Sequence, residues 1–197
     1  MPRKSHRREL IIDIATTRFL ISGYDIVTVD ELCELSVSTK GSFYHFFANK
    51  ETLAVDVVNS VWHNIETEIE QNFAAPHTAR ESLGNEIDRI STSFQRFNGK
   101  RYFIGCPIGT LGVSLRGKSQ KLTRRLNFAL THMRQFYVDA FEDGLRQGEF
   151  KNPDNATAGE FADRFQLGLQ GLSTLGKVQS NPNKIKALRL ELKKIIK

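Results

Sequence analysis

The chain reads as all-α: an N-terminal three-helix helix-turn-helix unit followed by a C-terminal helical bundle. Three observations predict this. Apolar residues recur at i, i+3 and i+4 in one segment after another, and no stretch shows convincing strand alternation between turn signals. Ser, Thr or Asn precede several of these segments, and Gly or Pro punctuate their ends. Finally, residues 38–53 combine a short helix, a tight break and the start of a second helix.

The first helix spans 5–22, with Leu10, Ile11, Ile14, Ala15 and Phe19 on one stripe and Gly23 as its stop. Thr28 caps a second helix whose apolar residues are Val29, Leu32, Cys33 and Leu35. Ser36–Ser38 breaks the chain before a helix at 39–47. There Phe43, Phe46 and Phe47 share a face, while Thr39, Lys40, Tyr44 and His45 fall away from it. A helix this short must be pinned to others through its aromatic side. Its polar side then offers hydrogen-bond donors and a cation, the chemistry of an element that enters a DNA groove. Asn49 caps a fourth helix, Lys50 to about Phe73, and Ala74-Ala75-Pro76 marks a boundary. Beyond it, helices are predicted near 77–97, 107–115, 118–147, 156–178 and 183–196, with Gly99 breaking the first from the second.

Lys40 and Lys50 each fall in the first turn of a helix. A cation there opposes the helix dipole but suits an anionic partner such as phosphate. The 197 residues carry a net charge of +6, which favours an anionic partner without naming it. Arg3, Lys4, Arg7 and Arg8 crowd one terminus, read either as a mobile phosphate- or groove-tracking arm or as a solubilising tail. The other terminus is crowded by Lys184, Lys186, Arg189, Lys193, Lys194 and Lys197. Two separated cysteines, Cys33 and Cys106, suggest no disulfide framework and a cytoplasmic setting. No apolar run approaches a membrane span, so no membrane partner is expected. Nor is there a metal-ligand cluster, a phosphate- or dinucleotide-binding glycine loop or a nucleophile elbow, so neither an enzyme nor a metal or cofactor is expected.

Helix 28–35, its turn and helix 39–47 form a helix-turn-helix with the second helix as reader. The strings Gly23-Tyr24, Thr28-Val29-Asp30-Glu31-Leu32, Ser38–Phe47 and Asn49–Leu53 resemble the N-terminal domain of TetR-family transcriptional regulators, over roughly residues 8–54. The resemblance implies that Thr28, Thr39, Tyr44 and Lys50 contact phosphates. It places Lys40, Gly41, Ser42 and His45 in or beside the major groove, where Ser42 and His45 would read base edges. The family often has Gly where this chain has Val37. A β-branched residue resists φ > 0, so a differently shaped turn is expected there.

The resemblance further implies a DNA-binding domain at 1–54 and an effector-binding and dimerisation domain at 55–197. The partners would be a palindromic double-stranded operator, a small-molecule effector and a second copy held through the last two helices, about 156–196. The small residues Ala158, Gly159, Ala162, Gly168, Gly171 and Gly176 would let those helices approach closely. Gly105-Cys106-Pro107-Ile108-Gly109 resembles a TetR subgroup with a Gly-Cys element opening its sixth helix. Candidate pocket residues are Phe94, Phe97, Phe103, Cys106, Phe128, Phe136, Tyr137 and Phe165. Cys106, at a helix start near Lys100 and Arg101, reads either as a low-pKa sensor of oxidants or electrophiles, with Lys177 as partner, or as a small core residue. The expected function is repression relieved by an effector. An activator on the same fold and an architectural DNA-binding protein without an effector are the alternatives.

Overall fold

A computed structural model describes residues 2–74, 76–152 and 155–196; side chains are described from His6 onward. The elements are α1 (Pro2–Ser22), α2 (Val29–Leu35), α3 (Lys40–Phe46), α4 (Lys50–Ala74), α5 (Ala79–Ser91), β1 (Phe94–Phe97), β2 (Lys100–Phe103), α6 (Pro107–Leu115), α7 (Gln120–Arg146), α8 (Ala158–Gln179) and α9 (Pro182–Leu192). Ala75, Pro153, Asp154, Lys197 and the side chains of Arg3 and Lys4 lie outside the described residues. The backbone of the expected N-terminal arm continues α1, and Arg8 pairs with Asp56 of α4 at 2.6 Å while lying over the Phe47 ring.

Local chemistry explains most boundaries. Thr28, Thr39, Thr78, Ser119 and Thr157 each cap a helix, accepting a hydrogen bond from the backbone N–H three residues on. Glu81 and Glu160 complete capping boxes at α5 and α8. Pro107 and Pro182 occupy first turns, where their missing N–H costs nothing.

The all-helical expectation fails in one place. Residues 94–103 form an antiparallel hairpin, with Phe97 opposite Lys100 and Phe94 opposite Phe103. The helix expected at 77–97 therefore ends at Ser91. The cause is local: Asn98 (φ 48°) and Gly99 (φ 73°) both adopt the left-handed region. That pairing is the signature of a two-residue type I′ turn, whose twist matches paired strands. Gly99 turns a hairpin rather than separating two helices.

One core runs through the molecule. Ile11, Phe19, Leu32, Phe43, Phe47 and Leu53 are fully buried around α1–α4, and Leu83, Ile87, Leu111, Tyr137, Phe141 and Phe165 are fully buried among α5–α8. α4 and α6 both pack on α1, so the N-terminal helices rest directly on the bundle.

Candidate DNA interface and effector region

The reading helix is built as its pattern predicts. Phe43 and Phe47 are buried and their rings pack 5.4 Å apart; Phe46 is half-buried against the same core. Lys40, Gly41, Tyr44 and His45 are exposed, and Ser42 is partly so. A Cβ on Gly41 would meet only Thr39 Oγ1, 3.8 Å away, so its bare Cα leaves the backbone open to a close approach.

The two cations are held differently. Lys40 Nζ lies 2.7 Å from Asp30 of α2, and both side chains are largely solvated, so little energy opposes exchange for another anion. Lys50 is more enclosed: it donates to the Val27 carbonyl at 2.6 Å and stands 4.1 Å from the centre of the Tyr24 ring. Burial lowers its pKa, the Lys118 cation adding to the effect against the opposing Asp25. Thr28 and Thr39 spend their hydroxyl lone pairs on caps at 3.1 Å, which leaves their O–H free to donate.

The turn before α3 corrects the expectation for Val37. It keeps the left-handed shape with Val in place, at φ 49° and 86% exposed. The Val37 N–H donates to the Glu34 carbonyl at 3.1 Å, and the Ser38 N–H to Cys33 at 2.9 Å. This is a complete Schellman motif. Ser36 reinforces it, its hydroxyl donating to the Leu32 carbonyl at 2.7 Å. These bonds offset the roughly 1–2 kcal/mol a non-glycine residue costs in this conformation.

Four contacts tie these helices to the bundle. Tyr24 N–H donates to Ser114 Oγ of α6 at 2.6 Å, and Lys118 pairs with Asp25 at 2.6 Å. Lys177 of α8 donates to the Leu20 carbonyl of α1 at 2.7 Å. Arg18 bonds Glu31 of α2 at 2.6 Å while its guanidinium lies 4.4 Å from the centre of the Phe97 ring. The hairpin thus touches the N-terminal helices, a role invisible while 77–97 read as one helix.

The proposed pocket residues do not converge. Phe94 and Phe103 stack edge-to-face on one side of the hairpin and line a cleft of about 220 Å³. Phe97 faces Arg18 instead. Phe136 lines a second cleft of about 460 Å³ between α4, α5 and α7, with Glu70, Asp139 and Asp143 at its rim. Phe128 is 53% exposed, against Trp62 and His132. Tyr137 and Phe165 are core, their rings 5.0 Å apart.

Sequence reasoning missed a buried polar group between α5 and α7. Glu86 is 1% exposed; it accepts two hydrogen bonds from Arg89, both at 2.7 Å, and one from the Tyr137 hydroxyl at 2.8 Å. Burial would lower the Arg89 pKa, but the bidentate Glu86 carboxylate raises it well above the usual value. Burial and that same carboxylate push the Tyr137 phenol well up. The i, i+3 spacing of Glu86 and Arg89 was the available signal, but it is shared with many surface pairs.

Cys106 adjoins this group, and the low-pKa expectation is reversed. The thiol is 1% exposed and burial raises its pKa, against lesser lowering by Gln170, the Gly109 N–H and Arg89. Lys177 is engaged at Leu20 and lines the smaller cleft, so it is not the partner expected for the thiol. Gly105 explains the tight approach: at φ 67°, its Cβ would lie 2.5 Å from Ser173 Cβ. The small residues of α8 also serve mainly within the protomer. A Cβ on Gly168 would strike Leu192 and one on Gly176 would strike Phe103, whereas Gly171 faces open space.

No family model matches the chain. The HTH-type transcriptional regulator LmrA of Bacillus subtilis is 28% identical over 141 residues, covering 71% of each chain. The HTH-type transcriptional regulator QacR of Staphylococcus aureus is 25% identical over 150 residues, covering 73% of each. A TetR-family transcriptional regulator from Cytophaga hutchinsonii superposes with a TM-score of 0.81 over all of this chain and 96% of that one, at 19% identity, a likeness of fold. Together with the helix-turn-helix, these define the class: a DNA-binding transcriptional regulator, not an enzyme. The fold is the one seen in structures of TetR-family regulators.

Proposed function

We propose that residues 1–54 hold a palindromic operator and that 55–197 dimerise and receive an effector that releases it, making the protein a repressor. The observation that carries the DNA assignment is the two-sided reading helix, with Phe43 and Phe47 buried behind an exposed Lys40, Gly41, Tyr44 and His45. Thr28, Thr39, Tyr44 and Lys50 contact phosphates in this reading, and Lys40, Gly41, Ser42 and His45 lie at the groove. The string Gly105-Cys106-Pro107 supports reading the chain as one of the subgroup whose sixth helix opens on a Gly-Cys element.

Dimerisation is supported by an apolar face left uncovered on α8 and the C-terminal segment. Leu167, Leu175 and Val178 of α8 are 73%, 44% and 79% exposed, beside the open Gly171, and Leu190 and Ile195 are also exposed. A second copy on this face would set two reading helices about 34 Å apart, one turn of DNA. The four contacts to the bundle are the route by which a shift of α6, α8 or the hairpin would tilt the N-terminal helices. An effector that binds the tilted state more tightly weakens DNA binding by that difference.

The test is a gel shift with the palindrome upstream of the protein's own gene, against random DNA of equal length. Saturable retardation of the palindrome by a dimer is expected, with altered base preference in Ser42→Ala and His45→Ala. Equal affinity for both DNAs would favour the architectural reading instead.

A further inference from the structure

The smaller cleft lies where four elements meet: Ile21 of α1, the hairpin, α8, and the start of α9. Its walls are apolar and aromatic, with Phe94, Phe103 and Ile185 prominent. Two cations also line it, Lys177 and Arg101. Neither has a carboxylate within ion-pair distance among the described residues. Among the described residues the Arg101 side chain is held through its contact with the Phe94 ring, 4.4 Å from guanidinium to ring centre. Among the described residues Lys177 donates to the Leu20 carbonyl, a neutral acceptor, and its burial lowers its pKa. A half-buried ammonium with one neutral partner gains from a carboxylate. The larger cleft has the opposite character, with carboxylates at its rim.

We propose that this cleft binds a small organic anion, a carboxylate on a short aliphatic or aromatic body, through Lys177 and Arg101. Its apolar body would lie against Phe94, Phe103 and Ile185. Its carboxylate would draw Lys177 Nζ away from the Leu20 carbonyl and so release the tie between α8 and α1. The site deepens the reading of the chain as an effector-responsive regulator and supplies that effector's class.

Direct binding to the DNA-free protein, measured by calorimetry, keeps this test separate from the operator assignment. The probes are sodium octanoate and uncharged 1-octanol. Octanoate should bind once per protomer, about tenfold or more tighter than octanol, as a charge-assisted hydrogen bond warrants. Lys177→Met should remove that preference. Arg101→Gln, at an exposed position on β2, should weaken octanoate binding several-fold and guards against a misfolded Lys177 variant, with thermal melts showing that it remains folded. In a gel shift, octanoate should weaken DNA binding by the wild type and leave Lys177→Met unaffected. No octanoate binding, or equal binding by wild type and both variants, overturns the site. Binding with unchanged DNA affinity overturns the release of α1. If the palindrome itself is not recognised, the calorimetry still decides the site.

Discussion

The two halves of the molecule use charge in opposite ways. Around α2–α4, the cations have partners that carry no buried charge: Lys40 a solvated Asp30, and the more enclosed Lys50 the neutral Val27 carbonyl. Between α5 and α7, the buried Glu86 carboxylate gathers hydrogen bonds from Arg89 and the Tyr137 hydroxyl. A surface that must trade water or an internal partner for phosphate gains from weak prior contacts. A bundle that must keep its shape gains from contacts that are costly to break.

That comparison breaks most readily at Glu86. Glu86→Ala leaves the buried Tyr137 phenol without its acceptor and the half-buried Arg89 with only Glu68, 3.6 Å away, and should destabilise the protein by about 3 kcal/mol in urea unfolding. Lys40→Ala should change stability by no more than about 0.5 kcal/mol in the same assay. Gly105→Ala comes next. A left-handed φ and a clash with Ser173 should cost about 2–3 kcal/mol, read from the same unfolding midpoint.

Asp88 sharpens the contrast, since it ties α5 to the C-terminal segment through Arg189 at 2.6 Å and Lys193 at 2.8 Å. Burial would raise its pKa, but the hydrogen bonds from Arg189 and Lys193 outweigh this and hold it below the usual carboxylate range. A depressed folded-state pKa contributes stability that is present above the unfolded value, near 3.9. That stability is lost as pH falls through the folded value. Asp88→Asn should therefore cost about 1 kcal/mol at neutral pH and flatten the acid limb of the stability curve, by thermal melts in a pH series. A small gain is expected at Val37. Val37→Gly should raise stability by about 0.5–1 kcal/mol, because the turn already holds φ 49°.

The same division governs how much the sequence discloses. The reading helix was legible because its chemistry is local: caps at i and i+3, aromatics at i, i+3 and i+4, and polar residues between them. The hairpin was nearly legible. Phe97-Asn98-Gly99-Lys100 is a strong turn signal, but short flanking strands without clean alternation hid it. The fate of Cys106 was not legible. A helix start predicts a lowered thiol pKa, and only the fold shows Ser173 and the neighbouring core closing over it. Nor could the aromatics be sorted into cleft and core, because Phe103 and Phe165 differ in tertiary neighbours rather than in local pattern.

The claim that α3 and the start of α4 hold DNA through their cations is tested most directly by the salt dependence of operator affinity. Wild type, Lys40→Ala, Lys50→Ala and a control, Lys186→Ala on the exposed side of α9, would be compared, with thermal melts showing that each remains folded. Each lysine lost from the interface should reduce the slope of log K against log salt by about one, and Lys186→Ala should leave it unchanged. Unchanged slopes for both Lys40→Ala and Lys50→Ala, or a reduced slope for Lys186→Ala, would contradict the account.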